Sequence, residues 1–374
     1  MKYYLYNLMK FIIEREILLK SLQQISILLS SNPPLAILNH LLLKINNDIL
    51  VMVTTNLDME IVTNIHLKKN YNFSPITIPA RKLLYICRNL PAGAEISICL
   101  DNNKVLVSSE HSKFSLSTLP ATDFPVLSDW QCIIKFKLPQ IIMKNLLEYT
   151  QFCMAYQDAR HYLNGILFKI TANKIHTVAT DGHRLATYTV PINHTLPNYS
   201  IIIPRKFITE ILRMIDRKEN EILLRIGKDK ICIGVNNLSF TSNLIDGCFP
   251  DYLSVFPKNP DKILEAESDI LKQSLIRVTI IANKQLPSVY LYITKNKLRI
   301  TCNNVDHDSA EETLDIIYDG DDLDIVFNAN YIIDILNVLK GKKVRFLLTN
   351  AASSVQIEDT ENNFASYLIM PIRL

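Results

Sequence analysis

The sequence predicts an α+β chain built from three copies of one unit, each with two helices on one face of antiparallel sheet. Three observations predict it. Segments that pass from an apolar strand into an amphipathic helix begin at Phe11, Phe136 and Ile263. A second strand–helix set begins at Ile76 (ITIPARKLLYICRNL), Ile201 (IIIPRKFITEILRMI) and Ile325 (IVFNANYIIDILNVL), 125 and 124 residues apart. A third set opens at Phe114, Phe240 and Phe364, 126 and 124 residues apart. Independent landmarks that keep one period mark an internal repeat. At 374 residues the chain is also too long for one small core.

Each element has a local reason. Leu18, Leu22, Ile25 and Leu29 step by four, three and four, which lays an apolar stripe along the first helix. The runs ILVMVTT, ISICL and VLVSS are short, β-branched and separated by turns, as in antiparallel sheet. The second helix opens on Pro79, and on Pro204 in the second unit. Proline suits a first helical turn, whose N–H groups have no helical acceptor. Connecting segments fall near residues 130–135 and 253–260.

Composition excludes several function classes. Apolar residues make up 48% and charged residues 21%, as in a folded globular protein. A net charge of +3 is nearly neutral at this size, so contact with a polyanion must come from charge placement. The 7 cysteines are scattered without a C-x-x-C, which favours a reducing compartment over a disulfide framework or a zinc site. The N-terminal MKYYLYNLMKFIIERE lacks a cleavage site, and no apolar run reaches the roughly 18 residues of a membrane span. The 8 glycines form no phosphate-cradling loop, and H-E-x-x-H and G-x-S-x-G are absent. The expectation is a cytoplasmic protein that needs no cofactor and no metal, and that is not an enzyme.

Two features point to binding. Arg81 and Arg88 lie seven apart on one helix face, and Lys206 and Arg213 occupy the matching positions of the second unit. The third unit has Asn330 and Asn337 there. Each cation alone is a solvated surface residue; in register they describe a surface for a polyanion held through its phosphates. The second feature is ATDGHRLAT, residues 179–187, where Asp181, His183 and Arg184 suggest a hydrolase or nuclease. Asp-Gly between two β-favouring runs is also a type I′ hairpin signal, which explains the acid and the glycine by backbone geometry. The matching stretches TTNLDME and CNNVDHD are turns as well, so Gly182, His183, Arg184 and Leu185 are what the second unit adds. A monomeric three-repeat scaffold is a third reading.

The motifs SLQQIS, PARK, FSLSTLPATDFP, YLNGILF, VATDGHRLA, DGCFPDY, PKNPDK, SSVQIED and MPIRL closely resemble the bacterial DNA polymerase III β subunit, the replicative sliding clamp. The resemblance runs from Met9 to Leu374. It implies an extension over residues 1–8 and clamp domains over 9–131, 137–252 and 253–374. It also implies a head-to-tail homodimer that closes six domains into a ring around double-stranded DNA, without sequence specificity and without catalysis. The implied partners are the DNA polymerase III catalytic subunit, an ATP-dependent clamp loader, and other polymerases and repair proteins carrying clamp-binding peptides.

The resemblance also assigns residues. DNA contacts fall on Arg81, Gln157, His161 and Tyr162, with Asn32 in a loop reaching the DNA. Asn32 stands where relatives carry Arg, and His161 where they carry Tyr; fewer fixed charges weaken static DNA contact and leave topological linkage intact. The dimer interface holds Phe114, Leu116, Lys82, Lys104 and Lys113 on one side. On the other it holds Ile280, Ile281, Asp306, Asp308 and Glu312. His111 stands where relatives often have Arg. A protein-binding pocket is assembled from Leu163, Thr180, Gly182, His183, Arg184, Leu185, Pro250, Val255, Tyr331, Ser354, Leu368, Met370, Pro371, Ile372 and Arg373, with Ser254 where close relatives often have a basic residue. Leu, Met and Pro supply adaptable apolar area there, and Arg or His fixes peptide carbonyls.

Overall fold

The computed structural model describes residues 10–101, 103–127, 130–193, 195–283 and 285–373. The extension over residues 1–8, with Met9 and Leu374, lies outside the described residues.

One element order is used three times. The first repeat runs β1 (Lys10–Glu14), α1 (Arg15–Ile25), β2 (His40–Asn46), β3 (Ile49–Thr55), β4 (Met59–His66), β5 (Ile76–Pro79), α2 (Ala80–Asn89), β6 (Glu95–Asp101), β7 (Lys104–Ser109) and β8 (Ser112–Ser117). The second runs β9 (Ile134–Pro139), α3 (Gln140–Glu148), β10 (Gly165–Thr171), β11 (Lys174–Thr180), β12 (Arg184–Pro191), β13 (Tyr199–Pro204), α4 (Arg205–Met214), β14 (Glu221–Ile226), β15 (Lys230–Val235) and β16 (Leu238–Asn243). The third runs β17 (Lys262–Glu267), α5 (Ser268–Val278), β18 (Ser288–Thr294), β19 (Lys297–Asn303), β20 (Ser309–Asp315), β21 (Leu323–Asn328), α6 (Ala329–Val338), β22 (Lys343–Leu348), β23 (Val355–Asp359) and β24 (Asn362–Ile369).

The expected patterns hold in most respects. Leu18, Leu22 and Ile25 are buried on α1; Leu29, expected on the same stripe, is buried too but lies past the end of the helix in extended backbone. In β9 buried Ile134, Phe136 and Leu138 alternate with exposed Lys135 and Lys137. All 7 cysteines are free; Cys132 and Cys248 are exposed, and the other five are buried as small hydrophobes. Three expectations need correction. Pro79 and Pro204 are N-caps that still pair in the sheet with His40 and Gly165, one residue short of the first helical turn. The first connecting segment is shorter than 130–135, because β9 begins at Ile134. Phe364 keeps the sequence period but is 52% exposed, because a register shift between Ile357 and Asp359 displaces β24. Tyr367, fully buried opposite Ile357, takes the place that Phe240 holds opposite Ile233 and Phe114 opposite Val107.

The chain is compact in two units, Met1–Gln140 with Glu219–Leu244, and Ile141–Lys218 with Ile245–Leu374. The middle repeat is therefore shared between them, for a reason visible in the sheets. In the first unit an eight-stranded sheet has the order β5-β2-β3-β4-β16-β15-β14-β9, and a four-stranded sheet has the order β1-β6-β7-β8. In the second, the orders are β13-β10-β11-β12-β24-β23-β22-β17 and β20-β19-β18-β21. One rule generates all four: the fourth strand of a repeat pairs antiparallel with the eighth strand of the next, as β4 with β16 and β12 with β24. The rule leaves β8 of the first repeat and β20 of the third without the partner it assigns, and both stand at sheet edges, as do β1, β5, β9, β13, β17 and β21.

Gly165 marks a close approach between β10 and β13. A Cβ there would lie 2.3 Å from the Ile203 carbonyl oxygen, with Ile245 and Ile202 side chains next nearest at 3.0 and 3.1 Å. Gly165→Ala must push the two strands apart, and chemical denaturation should show a loss of about 1–3 kcal/mol. An unchanged midpoint would mean that the contact yields freely.

Candidate functional site: a cavity beside the 180–184 turn

The hairpin that joins β11 to β12 is not the type I′ turn expected from Asp-Gly. That turn needs positive φ at both central residues, and here Gly182 alone has it, at 92°. Side chains close the turn instead. Thr180 Oγ1 accepts the Gly182 N–H at 3.1 Å and donates to the Arg184 carbonyl at 2.7 Å. Asp181 Oδ1 accepts the N–H groups of His183 and Arg184 at 2.9 and 3.0 Å. The turn over 55–59 repeats this set with Thr55 and Asn56: Leu57, Asp58 and Met59 donate, and Met59 O accepts from Thr55. The third repeat closes a longer turn through Asn304 Oδ1, which accepts from Asp306 and Asp308.

Above the second-repeat turn lies a cavity of about 230 Å³, all within the second compact unit. Its floor is the buried cluster Leu167, Val178, Leu185, Ile202 and Leu368, with Ile245, Phe249, Tyr252, Val255 and Phe256 packed against it. Ten residues expected for a protein-binding pocket line it: Leu163, Thr180, Gly182, His183, Arg184, Leu185, Pro250, Val255, Leu368 and Met370. Five others stand outside the lining. The Tyr331 ring lies under the Arg184 guanidinium at 4.6 Å, and Ser354 Oγ donates to the Val255 carbonyl at 2.6 Å. Ile372 N donates to Val326 O at 2.8 Å, and Pro371 and Arg373 flank it.

Sequence reasoning missed Arg160, Asp251 and Tyr252 in the lining, and Tyr162, expected on DNA, also lines this cavity. Asp251 and Tyr252 were within reach, since they follow Pro250 in DGCFPDY. Arg160 was not: its place depends on a tertiary bond from Nη2 to Asp181 O at 3.4 Å. Asp158 holds Arg160 through its side chain and backbone, and these bonds hold the Asp158 carboxyl down at about 2.

Arg184 braces the site rather than reaching into it. Its side chain is 13% exposed, Nε donates to Asp181 Oδ2 at 3.0 Å and Nη1 to Asp334 Oδ2 at 2.5 Å. Phe152 and Tyr331 flank the guanidinium at 5.6 and 4.6 Å, a cation–π arrangement. Beneath them burial pushes the Cys153 thiol well up, so it stays protonated. The hydrolase reading is therefore not supported: Asp181 and Arg184 are committed to the turn and to each other, and only His183 among the three is exposed.

The residues expected on DNA fall in both units. In the first unit Asn32, Arg81 and Arg88 are exposed, and Arg81 Nη2 donates to Leu29 O at 2.8 Å. In the second, Lys206 and Arg213 are exposed on α4, but Arg213 is already paired with Glu210 at 2.8 Å. Gln157 (φ 54°) and His161 are exposed on the loop that also carries Arg160 and Tyr162.

The residues expected at a dimer interface lie on or beside the two edge strands. Phe114 and Lys113 are on β8 with Lys104 on β7, and Lys82 is exposed on α2. Leu116 is 8% exposed and belongs largely to its own core. Ile280 is 78% exposed and Ile281 half-buried, and Asp306 and Asp308 are exposed beside β20. Glu312 is engaged within the chain by Ser274 and by Arg277 Nε at 2.5 Å. No helix among the described residues is long and apolar enough to cross a membrane.

Comparison with known proteins follows this geometry. Models for the N-terminal, central and C-terminal domains of the DNA polymerase III beta subunit match residues 9–128, 137–251 and 253–373. The Beta sliding clamp of Escherichia coli K12 is 50% identical over 366 residues, which is 98% of this chain and 100% of that one. A crystal structure of the DNA polymerase III subunit beta from Pseudomonas aeruginosa matches with a TM-score of 0.95 at 35% identity, over 98% of this chain and 100% of that one. A sliding clamp of the same organism bound to griselimycin matches with a TM-score of 0.93 at 35% identity and the same coverage.

Arg184→Met keeps the length of the side chain and removes the charge that two carboxylates share. Thermal or urea unfolding should show a loss of about 2–3 kcal/mol, because Asp181 and Asp334 are left without their partner. A loss no larger than that of an exposed arginine would show that the brace carries little.

Proposed function

The chain belongs to the DNA polymerase III beta subunit family, and from that membership we propose that it works as a DNA sliding clamp, a non-catalytic ring that tethers the replicative polymerase. The observation that carries the reading is the pair of edge strands. The pairing rule inside the chain calls for β20 to meet the eighth strand of a next repeat, and β8 of a second copy is that strand. A heterologous contact that closes gives a ring, and two chains of three clamp domains (9–131, 137–252 and 253–374) make six.

The internal joins also supply the register. Ile61 lies opposite Phe240, and Ala186 opposite Tyr367. Phe114 corresponds to Phe240 and Tyr367 within the eighth strands. Ile61 and Ala186 face Thr54 and Ala179, and the matching Cys302, counted from the same hairpin pair, faces Ala310. Ala310 of one copy then meets Phe114 of the other, which sets Glu311 opposite Lys113. Cross-strand pairs of opposite charge favour such a join. Lys82 and Lys104 on one side, with Asp306 and Asp308 on the other, extend the complementarity, while Glu312 is held by Arg277 of its own chain, and Ile280 and Ile281 add apolar area.

Enclosure replaces affinity. A ring around double-stranded DNA needs only weak, sequence-independent phosphate contacts from Arg81, Arg88, Asn32, Lys206, Arg213, Gln157 and His161, because it cannot leave except at an end. The cavity at His183 docks linear peptides of the DNA polymerase III catalytic subunit, of an ATP-dependent clamp loader, and of other polymerases and repair proteins. A docked polymerase then stays at high effective concentration on its template. The work is cytoplasmic and calls for no cofactor, no metal and no membrane.

Loaded onto nicked circular DNA on beads, the protein should survive a wash at high salt and leave once the DNA is linearised. Equal loss from both templates would reject enclosure. Independently, Lys113→Cys combined with Glu311→Cys should cross-link two chains under mild oxidation, whereas either single variant should not. A monomer by sedimentation with no cross-link would favour a three-repeat scaffold.

A further inference from the structure

The first repeat carries a counterpart of the cavity wall at a constant offset of 125 residues. Leu38 N donates to Leu35 O at 3.1 Å, as Leu163 N donates to Arg160 O at 2.9 Å. The 55–59 turn is closed by the same four side-chain bonds as the 180–184 turn. Asn243 N donates to Asp58 O at 2.9 Å, as Met370 N donates to His183 O at 2.8 Å. Beneath it, Leu38, Leu42, Val53 and Phe124 form a buried cluster where the second repeat has Leu163, Leu167, Val178 and Phe249. All of these first-repeat groups belong to the first compact unit.

The backbone is the same and the mouth is different. Arg160, Gly182 and Asp251 line the second-repeat cavity. Their counterparts are Leu35, Leu57 and Val126, which are 50, 39 and 40% exposed. The three originals share one cavity, so the matching backbone sets the three replacements at equivalent positions of the first repeat. Glu60, in the place of Leu185, accepts the Leu127 N–H at 2.8 Å and so fixes the segment that presents Val126. Leu57 adds an independent sign. Its φ is 78°, a left-handed conformation that is rare for a bulky side chain, and the second repeat uses glycine there. A leucine in that conformation with its side chain in solvent is strain kept at the mouth of the surface.

Charge indicates the occupant. The cations Arg160 and Arg184 and the imidazole of His183 give way to Leu35, Met59 and Asp58, and Asp58 and Asp123 are exposed. We propose that Leu35, Leu57 and Val126 form a second docking surface, for an extended peptide segment of a partner protein with alternating apolar anchors flanked by Lys or Arg. The inference takes only the kind of ligand from the peptide-docking reading of the second-repeat cavity.

The test is calorimetric titration of the full chain with two synthetic peptides that share the core Leu-Thr-Leu-Thr-Leu, one flanked by lysine pairs and one by glutamate pairs. The lysine-flanked peptide should occupy a site that Leu57→Asp weakens at least tenfold. The glutamate-flanked peptide should occupy one site, indifferent to that substitution. Leu57→Gly relieves the backbone, so its melting temperature should not fall, yet it too should lose the lysine-preferring site; this separates docking from misfolding. No site sensitive to Leu57 and Leu35→Asp would overturn the inference. Binding of the lysine-flanked peptide at a Leu57-sensitive site, with neither peptide bound at the second-repeat cavity, would sustain it and reject the cavity reading instead.

Discussion

A strand at a sheet edge leaves a row of N–H and C=O groups without partners, and this chain resolves that constraint between repeats rather than within them. Each repeat makes two half-sheets, and neither half is finished until a neighbour supplies the next strand. The β4–β16 and β12–β24 joins meet the requirement inside the chain, and they tie the middle repeat into both compact units. The same requirement is unmet at β8 and β20. Acidic residues on β20 and basic ones on and beside β8 are the kind of charged edge that discourages indiscriminate pairing and, in the closure proposed above, would meet one another.

The turns at the ends of the fourth strands show how function is added to such a repeat without changing its backbone. The Thr and Asx side chains that close the turn are present in the first and second repeats. What differs is which side chains project from it. In the second repeat a glycine keeps the wall thin enough for the Arg160 guanidinium, whose nitrogens a Cβ at Gly182 would meet at 3.3 Å. Arg184 is drawn back onto Asp334, which leaves the apolar floor open. The groups that looked like an active site are thus mostly scaffold around an apolar cavity.

Much of this was legible before any coordinates. The threefold period, the strand–helix order and the burial of Leu18, Leu22 and Ile25 depend on local pattern, and local pattern is what a sequence displays. Eight of the ten lining residues named from the family resemblance lie in contiguous motifs such as VATDGHRLA, and Val255 and Leu368 lie just outside them. Three kinds of feature were not legible. The β24 bulge moves Tyr367 into the place that the period reserved for Phe364, because the register is set by pairing with β23. The turn type was misjudged because Asp181 has a hydrogen-bonding side chain that competes with the backbone pattern of a two-residue hairpin. Arg160 entered the cavity wall, and Glu312 found Arg277, through contacts between residues far apart in sequence.

Modest charge fits a protein that holds DNA by enclosure. A protein that clung to phosphates through many fixed cations would slide poorly and would lose its grip steeply with salt. Here the net charge is only +3 and Arg213 is partly neutralised by Glu210, while Asn330 and Asn337 replace cations in the third repeat. In a linear DNA-binding protein these would be weaknesses. In a closed ring they would lower friction on the duplex, since retention there depends on enclosure rather than on phosphate contacts. Retention by enclosure therefore asks for closure of the ring and not for a dense set of fixed cations along the duplex.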